Sequence, residues 1–247
     1  MFRLNRKHMN ALIAGPGGLG DHIWISGAVR YIARQYKETH LFCSTTVLST
    51  LQTLYKDTPS IKFIIVIKLT DEEKKQITDK YSKSNTYTCY YTKDLLHRYY
   101  VDMNDLPGVF YDQLGILRSV RHSYFSLPKL SESTELFENV KSQPYIFVHT
   151  MSSSAITPII TWNISEILTI DPNINQYSSD HPWYEVAEKF VNQPFLHYID
   201  TIKHAKELHL VNSSFYVLAS QIPPLDASVK VCYDRSSKEV ITHYDFS

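Results

Sequence analysis

The sequence predicts an α/β protein of two domains, because strand and helix patterns alternate in both halves of the chain. In the first third, apolar runs at 9–14, 40–43 and 62–67 alternate with helical patterns at 21–36 and 46–55. This β-α-β-α-β order is typical of the start of a doubly wound sheet. The run 62–67 is dense in β-branched residues and predicts a fully buried parallel strand.

The remaining elements place the domain boundary near the middle of the chain. Further elements of the first half are a charged helix, a strand and a second helix, at 71–82, 85–92 and 106–117. The second half repeats the alternation, with strands at 145–149, 167–170, 208–211 and 229–232 and helices at 182–190, 198–206 and 213–220. Prolines, serines and few large apolar residues predict a linker at 131–143. We therefore expect α/β domains at 1–130 and 144–247 with a cleft between them.

Composition excludes several classes of protein. Lys+Arg and Asp+Glu both number 25 in the 247 residues, which is not the charge of a general nucleic-acid binder. The three cysteines are far apart, so they predict no disulfide framework or zinc site and suit a reducing, cytoplasmic setting. No apolar run approaches the roughly 20 residues of a membrane span. The scattered histidines form no metal-binding motif, so we expect no metal or other cofactor.

Four of the seven glycines lie within the segment Gly15–Gly20, between a predicted strand and a predicted helix. Glycine suits positions with positive φ or with a close neighbour, and such a turn can direct backbone N–H groups at an anion. The spacing of Gly15, Gly17 and Gly20 also matches a dinucleotide-binding fingerprint. That fingerprint needs an acidic residue after the second strand, where this chain has Cys43-Ser44-Thr45. An NAD(P)-dependent oxidoreductase therefore remains an alternative.

Asp21 and His22 follow the glycines directly. A carboxylate in the first turn of a helix is stabilised there by the helix dipole, so Asp21 can be a simple capping residue. It is equally well placed to take a proton from an acceptor hydroxyl. His22 can do the same or pack in the core.

The second half has a similar strand-to-helix junction at Asn212, Ser213 and Ser214. Asn212 or Ser213 can cap the helix, and the backbone N–H groups and hydroxyls can hold a diphosphate. His149 ends a strand and precedes Ser152 and Ser153. Loops at the carboxyl ends of parallel strands line the ligand crevice of such sheets, so these residues can meet a phosphate.

Three segments together resemble the GT-B glycosyltransferases of the heptosyltransferase-like kind, small bacterial and viral members among them. They are Gly18-Leu19-Gly20-Asp21-His22-Ile23, Tyr145-Ile146-Phe147-Val148-His149 and the segment 202–215, which ends in Leu208-His209-Leu210-Val211-Asn212-Ser213-Ser214-Phe215. They occur in the family's order. The chain departs from the pattern at Asn212, where aspartate is usual, and at Thr150, where an acidic residue is common. The loop 150–161 also lacks the usual basic residue, for which Lys203, Lys206 or Arg235 can substitute.

The resemblance implies two Rossmann-like domains that face each other across a cleft, with 1–130 on the acceptor side and 144–247 binding the nucleotide sugar. It also implies transfer of a sugar from a nucleotide-diphosphate donor to an acceptor hydroxyl, without a metal and with inversion. Asp21, with His22 beside it, would be the base. Asp171-Pro172-Asn173 could border the nucleoside. The acceptor is open: a glycan, a lipid-linked sugar, a small molecule or a modified nucleic-acid base. A non-catalytic GT-B-like binding protein is a further alternative. The implied donor-binding residues are Gly17, Gly18, Gly20, His149, Ser152, Ser153, His209, Asn212, Ser213 and Ser214.

Overall fold

The computed structural model describes residues 6–67, 70–84, 86–92, 106–152, 155–156, 166–222, 224–234 and 240–241. The chain divides into two compact units, Met1–Pro128 and Lys129–Ser247. Each unit contains a mainly parallel sheet with helices between its strands, so the predicted α/β class is confirmed. None of the helices in the described part of the chain combines the length and the apolar character that crossing a membrane requires.

The first unit contains a four-stranded parallel sheet in the order β3-β2-β1-β4. Its strands are β1 (Asn10–Ala14), β2 (Glu38–Cys43), β3 (Ile61–Ile65) and β4 (Tyr87–Tyr91). Its helices are α1 (Leu19–Trp24), α2 (Ser26–Ala33), α3 (Thr45–Leu54), α4 (Asp71–Ser82), α5 (Leu106–Gln113) and α6 (Val120–Ser123), and a 3-10 helix spans Arg6–His8. The side chains of residues 11–14 are fully buried, which places β1 at the centre of this unit's core.

The segment 62–67 was predicted to be a fully buried strand, and the prediction of full burial is wrong. The segment does form the parallel strand β3, but β3 is the edge of the sheet. Ile65 is 53% exposed, and Ile67, just beyond the strand, is 88% exposed. An apolar run can be typical of an interior strand, but the position of a strand in its sheet depends on tertiary pairing that the run does not encode.

The single helix predicted at 21–36 is two helices, α1 and α2, which meet at Ile25. The interruption has a specific cause. The hydroxyl of Tyr111 donates a hydrogen bond to the carbonyl of Trp24 and accepts one from the backbone N–H of Ala28, each at 3.1 Å. In an unbroken α-helix those two backbone groups bond to each other. An inserted side chain is a recognised cause of a helix kink.

The second unit contains a five-stranded sheet in the order β11-β10-β9-β5-β8. Its strands are β5 (Tyr145–His149), β8 (Leu168–Ile170), β9 (Glu207–Val211), β10 (Val229–Tyr233) and β11 (Val240–Ile241), and a separate hairpin pairs β6 (Met151–Ser152) with β7 (Ala155–Ile156). Its helices are α7 (Ser131–Glu138), α8 (Tyr184–Glu188), α9 (Ile199–Lys203) and α10 (Ser214–Ala219), and a 3-10 helix spans Phe195–Tyr198. All pairs in the sheet are parallel except β10 with β11.

The segment expected to link two domains, 131–143, begins with α7, which packs on α9 inside the second unit. The Ser133 hydroxyl accepts a hydrogen bond from the backbone N–H of Asp200, and Thr134 donates one to the Asp200 carboxylate. The domain boundaries at 130 and 144 stay a prediction.

Each sheet has one point where the strand order reverses. In the first unit the chain runs outward from β1 to β3 and then returns to place β4 on the other side of β1. In the second unit it runs from β5 to β8 and then returns to place β9 on the other side of β5. Ligands of open α/β sheets bind at the carboxyl ends of the strands beside such a switch point. The ends of β1 and of β5 are therefore the expected positions of ligand-binding residues in the two units.

Candidate functional site

The glycine turn follows β1 at the switch point of the first unit, and close approach explains two of its glycines. A Cβ on Gly15 would lie 3.2 Å from Cδ1 of Ile25, and a Cβ on Gly18 would lie 3.1 Å from Oδ2 of Asp21. Around Gly17 there is open space. Among the described glycines, the one with positive φ is Gly115, outside this turn. Of the two reasons for the glycines that the sequence suggested, close contact applies here.

Asp21 is the third residue of α1, and its carboxylate turns back over Gly18, the residue before the helix. Negative charge is favoured at this end of a helix. The side chain is only partly buried, so it can be reached by another molecule. Asp21 thus combines a defined position with access, and its role as the base stays a prediction.

His22, the second predicted base, lies inside the core of the first unit. It is 0% exposed, and neither ring nitrogen has a hydrogen-bond partner among the described residues. Burial, and then the charge of Lys74, lower the pKa of His22 to about 4. A neutral imidazole without access to solvent cannot meet an acceptor hydroxyl in this conformation, so we do not assign His22 a role in the chemistry.

The end of β2 bears on the oxidoreductase alternative. Cys43 is the last residue of this strand, and Ser44 precedes α3, with its hydroxyl hydrogen-bonded to that of Thr46. A dinucleotide-binding fold places a carboxylate here to bind the ribose. The structure thus puts a thiol and a hydroxyl where that carboxylate is needed, which counts against the dinucleotide fingerprint.

At the switch point of the second unit, a hydrogen bond joins the carboxyl ends of β5 and β9. The hydroxyl of Ser213 lies 3.1 Å from Nδ1 of His149, although 64 residues separate them in sequence. Ser213 precedes α10, yet its side chain makes no capping hydrogen bond to that helix. The imidazole of His149 also packs on the ring of Phe215, with a centroid separation of 4.6 Å. The two predicted donor-site residues are therefore brought together.

The His149 imidazole is neutral at physiological pH. It is 4% exposed, and burial lowers its pKa to about 3. A neutral imidazole can exchange a hydrogen bond with Ser213, but it supplies no positive charge to a phosphate. His149 thus orients the Ser213 hydroxyl rather than neutralising an anion.

This burial predicts acid sensitivity of the second unit. Because the pKa is about 6.5 when unfolded and about 3 when folded, the unfolded chain binds the extra proton first as the pH falls. We expect the free energy of unfolding to fall by about 2 kcal/mol more between pH 7 and pH 5 in the wild type than in His149→Gln. Urea titrations at the two pH values measure this difference when hydrogen exchange of the amides of β5 and β9 is used as the probe of unfolding. Equal pH dependence in the two proteins would show that His149 does not cause it.

Thr150 and Asp171 join the carboxyl ends of β5 and β8. The Thr150 hydroxyl donates a 2.8 Å hydrogen bond to Asp171, which also accepts from the backbone N–H of Asn173 and the side chain of Gln176. Asp171 is 2% exposed, and burial raises its pKa above the usual value despite these hydrogen bonds. Both carboxylate oxygens accept hydrogen bonds from neighbouring residues, so Asp171 organises the edge of the sheet, and the expectation that it borders the nucleoside stays a prediction. In the sequence, Thr150 was notable only as a departure from a family pattern, so its contact with Asp171 was not predicted.

The remaining predicted donor residues are divided between the edge and the interior. Asn212 follows β9, is buried, and bonds through its N–H to the carbonyl of Tyr233. Ser214 begins α10 and is partly exposed. His209 differs: it is paired in register with Val148, whereas Leu210 is paired with His149. Because successive side chains of a strand alternate, His209 lies on the opposite face of the sheet from His149. There it contacts Tyr233 and Glu207 and is 3% exposed.

The other candidates are spread over the two units. Gly17, Gly18 and Gly20 belong to the first unit, and their predicted role toward the donor stays a prediction. Ser152 is in the β6–β7 hairpin, directly beyond Thr150. Ser153 and Arg235 lie outside the described residues. Lys203, at the end of α9, and Lys206, just before β9, precede the amino end of that strand.

The described ranges contain no group of three or more His, Cys, Asp or Glu side chains arranged to hold a metal ion. The expectation that the chain works without a metal or another cofactor stays a prediction.

No protein-family model matches this sequence, and no curated protein matches it either. The fold, in contrast, is similar to solved glycosyltransferase structures. A glycosyl transferase family 9 protein from Veillonella parvula is 12% identical, with a TM-score of 0.53 over 96% of this chain and 83% of that one.

Two structures of the iron-containing dodecameric glycosyltransferase TibC from enterotoxigenic E. coli are also similar, each at 16% identity. One has a TM-score of 0.52 over 94% of this chain and 59% of that one. The other, described as a heptosyltransferase in complex with ADP-D-β-D-heptose, has a TM-score of 0.53 over 99% of this chain and 69% of that one. The fold is that of the GT-B glycosyltransferases. The chain spans only 59% to 69% of the length of TibC.

Proposed function

We propose that this GT-B-fold chain is a glycosyltransferase that moves a sugar from a nucleotide-diphosphate donor to an acceptor hydroxyl. The observation that supports it most is the His149–Ser213 hydrogen bond, which places a hydroxyl at the switch point of a sheet whose fold is shared with glycosyltransferases. TibC, one of the similar structures, was solved with ADP-D-β-D-heptose. A nucleotide-sugar donor is therefore the chemistry to test first.

In the proposed reaction, Asp21 accepts the proton of the acceptor hydroxyl while the oxygen attacks the anomeric carbon of the donor. The bond from that carbon to the diphosphate oxygen breaks, and the nucleoside diphosphate leaves with the electron pair. One displacement of this kind inverts the anomeric carbon. Asp21 is partly accessible and follows the switch strand β1, which suits this role.

The departing diphosphate gains negative charge, which hydrogen-bond donors already in place can stabilise. Ser213 and Ser214 are the two partly exposed hydroxyl residues at the end of β9. His149 accepts or donates at Ser213 Oγ, so it can fix the direction in which that hydroxyl points. The proposal therefore assigns stabilisation of the leaving group to hydroxyls and backbone N–H groups, without a metal ion.

Calorimetry with UDP-, GDP-, ADP- and CMP-sugars tests the donor site. We expect the wild type to bind one class of nucleotide sugar. Changing both Ser213 and Ser214 to Ala should weaken that binding by at least about tenfold, because each hydrogen bond to a charged group contributes about 1.5–3 kcal/mol.

Ser228→Ala is the matched control, because this exposed serine precedes the amino end of β10 and bonds only to the carbonyl of Lys206 among the described contacts. Its affinity should equal that of the wild type. Unchanged affinity in the double variant would remove the two serines from the phosphate site. Failure of the wild type to bind any nucleotide sugar, with NADH binding in its place, would favour the oxidoreductase alternative.

A further inference from the structure

The hydroxyl of Tyr111 is inserted into the joint between α1 and α2. Tyr111 in α5 is 0% exposed, and its hydroxyl occupies the position where the helix would otherwise close its own backbone hydrogen bond from Ala28 to Trp24. Ile25, between the two helices, has φ −83° and ψ 0°, away from the usual helical ψ. Helical backbone hydrogen bonds remain on either side of this position. The N–H of Ile25 donates to the carbonyl of Asp21, and the N–H of Val29 donates to the carbonyl of Ile25. At the same joint the hydroxyl of Ser26 donates a 2.7 Å hydrogen bond to the carbonyl of Ile23, so two side-chain hydroxyls bond to helix carbonyls here.

The joint has a second close contact, between Gly27 in α2 and the backbone of α6. A Cβ on Gly27 would lie 2.6 Å from the carbonyl oxygen of Arg121 and 2.9 Å from that of Val120. The same atom would lie 2.8 Å from the Tyr111 hydroxyl. Glycine therefore lets α6 and the tyrosine reach the backbone of α2 together. This geometry leaves the start of α2 little freedom to move.

Asp21 is one hydrogen bond away from the joint. Its carbonyl accepts from the N–H of Ile25 at 3.0 Å, and α1 is only six residues long. A change of angle at Ile25 therefore moves the whole of α1, and the carboxylate with it. The carboxylate already lies so close to Gly18 that a Cβ there would be 3.1 Å from Oδ2.

We propose that Tyr111 is a positioning residue, which sets the direction of the Asp21 carboxylate by holding the α1–α2 joint open. The inference rests on the proposed function, in which Asp21 is the base. A general base must lie within hydrogen-bond reach of the proton that it takes, and a misplacement of about 1 Å can lower a rate about a hundredfold. Tyr111 touches no reacting group, so its effect should appear in the rate of transfer and not in donor binding.

Tyr111→Phe removes the hydroxyl and keeps the ring. We expect kcat to fall about ten- to a hundredfold, with the donor KM and the nucleotide-sugar affinity within about twofold of the wild type. Tyr145→Phe is the matched control: Tyr145 is 2% exposed and donates to the carbonyl of Thr201 in the second unit. The Tyr145→Phe variant should lose a similar buried hydrogen bond and keep the kcat of the wild type.

The decisive comparison repeats Tyr111→Phe in an Asp21→Asn background. If Tyr111 acts through Asp21, the tyrosine change should lower the remaining rate by less than about twofold there. A loss of the same size in both backgrounds would overturn the inference and leave the base assignment intact. Full activity of Asp21→Asn would instead overturn the base assignment, and with it the role of Tyr111 in catalysis.

Crystal structures of the wild type and Tyr111→Phe give a result that needs no activity. We expect the Ala28 N–H to bond directly to the Trp24 carbonyl in the variant, with the Asp21 carboxylate displaced from Gly18. An unchanged joint, with Asp21 in its original place, would overturn the inference whatever the rates are. If the wild type transfers no sugar, the proposed function fails, and these structures alone decide whether Tyr111 sets the position of Asp21.

Discussion

Replacing Asp21 with asparagine is expected to lower kcat for sugar transfer by about a thousandfold and to leave nucleotide-sugar affinity unchanged. General base catalysis contributes about 10²- to 10⁴-fold, and an amide cannot take the proton. Asparagine has nearly the same shape as aspartate, so it fits the same space over Gly18. The first turn of α1 loses the interaction of a charge with the helix dipole, about 0.3–1 kcal/mol. Steady-state kinetics with the donor identified by calorimetry measure the loss.

Asp79→Asn is the matched control for this change. Asp79 is an exposed residue of α4, a helix of the same unit, so the variant alters net charge equally without touching the glycine turn. It should transfer sugar at the wild-type rate. If Asp21→Asn also kept most of its turnover, the base assignment would be wrong. If neither the wild type nor the variants transferred sugar while all bound the donor, the chain would be a binding protein with a GT-B fold.

Local patterns in the sequence predicted the elements that carry the candidate residues. Strand, glycine turn and helix occur at β1 and α1, and His149 and Ser213 meet because parallel strands bring their carboxyl ends to one edge. The alternation of side chains along a strand explains why His209 lies apart from the predicted donor residues at the carboxyl ends of β5 and β9. His209 is paired with Val148, the residue before His149, so alternation places His209 on the opposite face of the sheet from His149.

The features that the sequence could not predict depend on contacts between distant segments. The break at Ile25 is made by a tyrosine hydroxyl whose partner Ala28 is 83 residues away, and a tyrosine in an apolar helix gives no sign of it. The burial of His22 depends on how α1 packs on the sheet. The edge position of β3 depends on which strands pair with β2. None of these is set by the composition of the segment itself.

Arg30 gives the largest expected effect on stability, because one buried guanidinium joins three segments of the first unit. Arg30 is 6% exposed in α2. Its Nη1 donates to Asp57 and Thr58 at 2.7 Å, and its Nη2 donates to the carbonyls of Leu54 and Ser126 at 2.8 and 3.1 Å. Partial desolvation raises the pKa of Asp57, but the hydrogen bond and charge of Arg30 outweigh it and hold that pKa below its usual value.

We expect Arg30→Met to lower the free energy of unfolding of the first unit by about 3–5 kcal/mol. The buried carbonyl of Leu54 would lose its charged donor, at a cost of about 1–3 kcal/mol, and the contact with Ser126 and the ion pair would be lost as well. The Asp57 side chain is 47% exposed, so it can recover water and its own share should be small. Methionine keeps the helix propensity and most of the apolar stem, which isolates the polar contacts.

Arg34→Met is the control, because Arg34 is in the same helical segment, is exposed, and has its guanidinium carbon 5.0 Å from the ring centroid of Tyr124. An exposed cation–π contact contributes about 0.5–1 kcal/mol, so this variant should lose no more than that. Hydrogen exchange of the amides of α2 and α3 across a urea series measures the first unit separately from the second. If the two variants lost equal stability, the hydrogen bonds of Arg30 to the three segments would not be what stabilises the first unit. Its stability would then depend on apolar contacts such as those of β1.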